Sequence, residues 1–212
     1  MEVSLMFDAI GLYEKYYIKR DYEQIDLFQL LDEKFVIEKV IYPGSFVQIS
    51  PAFVFQKTVF IDSDGNAKKF FESNEMLTYI SQRKEYLGDP EITFFAKDYK
   101  DVISDLKMKF DLLISQYAGF ISEACKDYLK IGGFLLVNNS HGDAGLASID
   151  PDYELVAAIG KSGGTYRLST AHLDRYFIPK KEIVVSRDYL VKSGRGVGYS
   201  KTASLYLFQR QS

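Results

Sequence analysis

Apolar and polar positions change their period near residue 37. Upstream, Phe7, Ile10 and Leu12, then Ile25, Phe28, Leu31 and Phe35, recur at helical spacing over residues 5–36. Asp26 is placed to cap a short helix over 27–34, since its carboxylate can accept the first free N–H groups. Downstream, the apolar residues gather into short runs that stop at turn signals. Strands are predicted over 39–42, 58–61, 91–95, 110–115 and 134–138, with helices between them from Gly65 to the Gly88–Pro90 stop, around 99–107, and over 118–130. Ile131-Gly132-Gly133 reads as the exit from that last helix. Strict strand–helix alternation implies an open, mostly parallel, twisted α/β sheet covered on both faces, and near-continuous apolar strands agree with that. The tail differs. Residues 153–159 read as a helix, 165–168 and 183–185 as short strands, and 203–208 as a final strand. The last two are expected to pair as an antiparallel edge around the 193–200 loop. The predicted organisation is a helical extension, 1–36, packed on one α/β domain, 37–212.

Composition narrows the class. The chain has 212 residues, 47% hydrophobic and 26% charged, which is enough for an ordinary core. No apolar stretch approaches the about 20 residues of a membrane-spanning helix, and no leader pattern follows Met1-Glu2-Val3. A single cysteine, Cys125, rules out an internal disulfide and fits a reducing, cytoplasmic setting. The net charge of −3 argues against a nucleic-acid groove spread over the whole surface, so a nucleic-acid partner is not indicated. Basic residues do gather late in the chain, at Lys180, Lys181, Arg187, Lys192, Arg195, Lys201 and Arg210, where they read as a solvated face. His172 has no Cys or acid at ligand spacing, so no metal site is expected.

Candidate chemistry sits where predicted strands end. The stretch EKVIYPGSFVQISPAFVFQKTVFIDSD has two apolar runs, the first ending at Pro43-Gly44-Ser45 and the second at Asp62 and Asp64. Asp62 is either a ligand for a diol or part of a turn, and Asp64 reads as a helix cap. Ser50-Pro51 reads as the start of a helical turn. Asp98 is either an acceptor for an amine, with Tyr99 beside it, or the cap of the following helix. Ser115-Gln116-Tyr117 closes the fourth strand, where open α/β sheets bind ligands. In Asn138-Asn139-Ser140-His141-Gly142-Asp143, His141 is close enough in sequence to Asp143 to be a base oriented by a carboxylate, or the segment is simply a polar turn. Gly194-Arg195-Gly196-Val197-Gly198 lacks a strand–turn–helix setting and reads as a hairpin loop rather than a phosphate loop.

Taken together, from about residue 35 to 210, these elements resemble the class I S-adenosylmethionine-dependent methyltransferases. Four pieces carry the resemblance, in order: Gly44 followed by Asp62 at a strand end, Lys97-Asp98-Tyr99, Phe110-Asp111-Leu112-Leu113-Ile114-Ser115, and YLKIGGFLLV. The resemblance implies S-adenosylmethionine as cofactor, with Asp62 at the ribose and Asp98 at the adenine amine. It implies a cofactor-facing set of Tyr42, Pro43, Gly44, Asp62, Ser63, Asp98, Tyr99 and Ser115, and an acceptor-facing set of Gln116, Tyr117 and His141. The first turn departs from the family pattern: it keeps one glycine, and Tyr42 stands where an acid ends the first strand. Glycines matter there because the backbone turns tightly against the ligand. The Asn/Asp-Pro-Pro-Tyr stretch of the amino-methyltransferases is absent, and the residues name no methyl acceptor and no oligomeric state. The implied activity is methyl transfer, or a methyltransferase scaffold kept as a binding module without transfer.

Overall fold

The computed structural model describes residues 7–212. Before the sheet come α1 (Ala9–Tyr13), a π-helical turn Glu14–Ile18, and α2 (Ile25–Asp32). The alternating part follows as β1 (Lys39–Pro43), α3 (Pro51–Val54), β2 (Lys57–Ile61), α4 (Gly65–Phe71), α5 (Asn74–Arg83), β3 (Glu91–Phe95), β4 (Phe110–Ser115), α6 (Ile121–Ala124) and β5 (Leu129–Val137). The chain closes with α7 (Asp143–Ile149), β6 (Tyr153–Ser162), β7 (Thr165–Ser169), α8 (Arg187–Ser193) and β8 (Leu205–Arg210).

These strands form an eight-stranded sheet in the order β3-β2-β1-β4-β5-β8-β6-β7. The first five pair in parallel. β8 runs antiparallel to both β5 and β6, and β7 antiparallel to β6. Side-chain alternation sorts β1 onto two cores. Val40 and Tyr42 join Phe60, Leu112 and Leu136 beneath α2, α3 and α5, while Ile41 joins Leu113, Leu135 and Val137 against α6 and α7. Burial on both faces explains the apolar runs Val40–Tyr42 in β1 and Leu112–Ile114 in β4.

Several expectations are corrected. The helix expected from Gly65 to Gly88 is two helices, because the Ser73 hydroxyl accepts the Glu75 N–H at 3.1 Å and starts α5 afresh. Around 99–107 only a 3-10 turn, Ser104–Leu106, forms. The helix expected over 118–130 is the short α6 and a 3-10 turn Lys126–Tyr128, since Leu129 already pairs with Phe110. Gly132-Gly133 lies inside β5, opposite a register shift between Phe110 and Leu112. Residues 153–159 are strand β6, not helix, and 183–185 form no strand. β8 therefore inserts between β5 and β6 rather than pairing with 183–185.

Two cap assignments also change. Asp26 lies inside α2 and bonds only the neighbouring Leu27 N–H, at 3.1 Å. Ser50 precedes α3 as expected, with Pro51 at its first turn, yet its side chain caps nothing. Its Oγ instead donates to Gln48 Oε1 at 2.7 Å and accepts the Gln24 N–H at 3.2 Å, which ties the N-terminal segment to the loop after β1. Asp64 does cap α4, accepting the Asn66 and Ala67 N–H groups at 2.7 and 3.2 Å. No helix of the described residues is long and apolar enough to cross a membrane.

Candidate active site: two clefts that share Tyr117

The C-terminal ends of β1, β2, β3 and β4 converge on a cleft of about 260 Å³. Gly44, Asp62, Ser63, Asp98, Tyr99 and Tyr117 line it, with Ile61, Lys97 and Ala118. Five of the eight residues expected to face a cofactor are therefore brought to one place. The strand register does this. Pro43 pairs with Ile61 and Ile61 with Phe95, so the residues after each strand end side by side.

Asp62 organises the floor. Its Oδ2 accepts the Phe46 N–H at 2.6 Å and its Oδ1 the Asp64 N–H at 2.8 Å, so one carboxylate ties the turn after β1 to the turn after β2. Phe46 sits in the left-handed region at φ +49°, an unusual conformation for a bulky residue. That bond and the packing of its ring on Tyr16, centroids 5.1 Å apart, hold it there. Gly44 has φ +66° and donates its N–H to Ile61 O at 2.7 Å. A Cβ on Gly44 would overlap the Ala118 Cβ, so the single glycine of this turn meets the loop leaving β4. Neither Phe46 nor Tyr42 lines the cleft.

Above the floor, Asp98 forms no helix cap. Its Oδ1 accepts the Lys100 N–H at 3.0 Å in a tight turn. Tyr99 rests on Gly119, where a Cβ would come within 2.7 Å of the phenol oxygen. Burial raises the Tyr99 hydroxyl above its ordinary range, and the charges of Asp98 and Asp143 add to that. In the π-helical turn, Tyr17 packs on Tyr13 and Tyr22 outside the cleft lining. Burial pushes its hydroxyl upward, and the Asp62 charge pushes in the same direction.

A second cleft of about 180 Å³ adjoins the first through Tyr117, which lines both. Tyr22, Gln24, Asn138, Lys161 and Tyr166 line it as well. Tyr117 is 58% exposed and lies at φ +59°, and its ring meets Tyr22 edge-on with centroids 6.0 Å apart.

The remaining expected residues lie elsewhere. Tyr42 is buried in the core against Phe60, and Pro43 is buried at the strand end. Gln116 is buried behind Tyr22, whose hydroxyl donates to Gln116 Oε1 at 3.2 Å. Ser115 is buried and its hydroxyl donates to Asp143. The pairing of His141 with Asp143 is corrected. His141 is exposed with Nδ1 3.0 Å from Ser140 Oγ, while Asp143 turns inward and accepts the Ser122 N–H at 3.1 and 3.2 Å. Desolvation pushes the Asp143 carboxyl up to about 6 against the pull of the serine hydroxyls. Its place joining β4, α6 and α7 is structural.

Sequence reasoning quoted Lys97 beside Asp98 without giving it a place in the site, and missed Ala118, which follows Tyr117. It also missed Tyr22, Lys161 and Tyr166, which carry no local signal, because distant segments bring them together. The Gly194–Gly198 segment is the exit of α8 rather than a hairpin. It packs on the turn after β5, with Asn139 Nδ2 donating to Val197 O at 3.4 Å.

Among solved structures, the chain is similar to a candidate O-methyltransferase from Klebsiella pneumoniae, with TM-score 0.50 and 10% identity over 89% of this chain and 80% of that one. It is likewise similar to a methyltransferase from Geobacter sulfurreducens, with TM-score 0.50 and 16% identity over 76% of this chain and 87% of that one. No family model and no curated protein matches the sequence. At such identities the likeness concerns architecture alone, and the chain shares the Rossmann-like α/β fold of those two structures.

Proposed function

We propose that the first cleft binds S-adenosylmethionine and that the protein is a methyltransferase. The observation that carries this reading is that Asp62 and Asp98 face one open cleft beside Gly44. The donors and acceptors there fit the group. The Asp62 carboxylate keeps lone pairs for a vicinal diol, Asp98 can accept an amine, and Tyr99 supplies a flat face. The bound cofactor would supply an electrophilic methyl on a sulfonium centre. The protein's part is to orient it, and proximity supplies most of the catalysis. Tyr117 can offer its ring to the positive sulfonium, an attraction that strengthens as water is excluded. The buried thiol of Cys125, pushed up to about 12 by desolvation, is no nucleophile. A cytoplasmic setting fits a single buried thiol.

The second reading, a methyltransferase scaffold kept for binding alone, draws on one observation. Both Asp62 oxygens already accept backbone N–H groups. Calorimetry with S-adenosylmethionine and S-adenosylhomocysteine separates the readings. Micromolar binding that Asp62→Ala abolishes supports the cofactor site, and no heat from folded, ligand-free protein removes it.

A further inference from the structure

We infer that the second cleft is a binding site for a single nucleobase with its adjacent phosphate. As an acceptor subsite this rests on the cofactor reading of the first cleft, whereas binding itself does not. Tyr117 presents an exposed aromatic face where the two clefts join, in a left-handed conformation that costs free energy for a non-glycine residue. An aromatic ring in that position is a platform for one planar group.

Behind that platform are two buried amides with unmatched atoms. Gln24, 2% exposed and lining the cleft, leaves Oε1 without a partner. Gln116, 3% exposed and bonded to Tyr22, lies outside the cleft lining and leaves Nε2 without one. A buried unpaired polar atom is costly and needs an explanation. The free acceptor of Gln24 matches the exocyclic amine of a base such as cytosine. The cleft is lined by no carboxylate, and its one cation is Lys161, whose Nζ lies 4.9 Å from the Tyr166 ring centre and forms no ion pair among the described residues. That combination disfavours an ammonium ligand and suits a phosphate.

The same part of the sequence is rich in positive charge, although Arg187 within it is paired with Glu123. Residues 161–201 hold nine lysines and arginines against three acids, in a chain whose net charge is −3. The segment around Arg195 packs on Asn139 and Gly142, in the turn that follows the cleft residue Asn138. The whole-chain charge hides this local excess. A volume of about 180 Å³ is enough for one base.

Two sources share this chemistry, a free nucleotide and a single strand. Binding of cytidine monophosphate and of a single-stranded oligocytidylate of about eight nucleotides tests them, a length within one site of common strand-binding modules. The full-length protein is used, with and without saturating S-adenosylhomocysteine. A pyrimidine probe avoids a ligand that resembles the cofactor's own adenosine. The expected result is binding that the cofactor product does not displace. Lys161→Gln weakens it about fivefold and lowers the salt slope by about one. Tyr117→Asn, which tolerates the left-handed backbone, weakens it about tenfold. Equal binding of both probes per site assigns a free nucleotide, and binding of the strand alone assigns a nucleic acid. Failure of both probes, displacement by S-adenosylhomocysteine, or unchanged affinity in both variants overturns the inference. S-adenosylhomocysteine binding without cytidine binding removes this site and keeps the first. The reverse removes the first and keeps this one.

Discussion

Gly44 and Ala118 meet across the mouth of the first cleft so closely that a Cβ on Gly44 would overlap the Ala118 side chain. Gly44 is also at φ +66°. Gly44→Ala therefore meets two penalties, steric overlap and a left-handed backbone of about 1–2 kcal/mol. The expected loss in chemical unfolding is about 2 kcal/mol or more. Adding Ala118→Gly restores only the steric part. A single variant as stable as the parent would remove the packing role assigned to this turn.

Asp62 accepts two backbone N–H groups, and bonds to a charged acceptor are worth about 1.5–3 kcal/mol each at most. Asp62→Ala should lower stability by about 2 kcal/mol. Asp62→Asn should lose less stability, yet still weaken S-adenosylhomocysteine binding at least tenfold. Calorimetry and denaturant melts on both variants separate the structural role from the binding role.

Asp143 gives a pH signature. Burial holds its folded carboxyl at about 6, above the unfolded value near 4. Its folded form thus binds the proton more tightly. Its contribution is fully present below about pH 4 and fades as pH rises through about 6, by roughly 2–3 kcal/mol in total. Asp143→Asn cannot titrate. The stability difference between parent and variant should therefore shift by that order between pH 4 and pH 7, in favour of the variant at higher pH. A pH-independent difference would show that Asp143 does not titrate in this range.

Arg83 clamps Glu23 with two bonds of 2.7 Å, and the Tyr13 hydroxyl adds a third at 2.7 Å. This triad fastens the N-terminal segment to α5 and so helps to position Tyr22 at the second cleft. Glu23→Gln leaves the half-buried guanidinium without its counter-charge and should cost about 2 kcal/mol. Hydrogen exchange should speed up in residues 9–32 first. Uniform acceleration across the sheet would show that the segment does not open separately.

The parallel half of the sheet was legible in the sequence. Its central strands β1 and β4 are largely apolar on both faces, the edge strand β3 only on one, and each stops at a turn signal. The acids that face the first cleft follow those stops directly, which is why Asp62 and Asp98 could be named. β6 was misread because YELVAAIG combines helix-forming residues with a register shift between Leu155 and Ala157 that breaks the period of two. Pairing with β8, about fifty residues onward, decides it. The inward turn of Asp143 was likewise hidden, since its partners Ser115 and Ser122 come from other elements. Local propensity and hydrophobic period therefore mark the parallel strands and the first cleft's acids. The second cleft was decided by tertiary structure alone, because Tyr22, Tyr117, Lys161 and Tyr166 become neighbours only when the N-terminal segment and the antiparallel edge dock on the parallel sheet. No local interaction records that contact before the chain has folded.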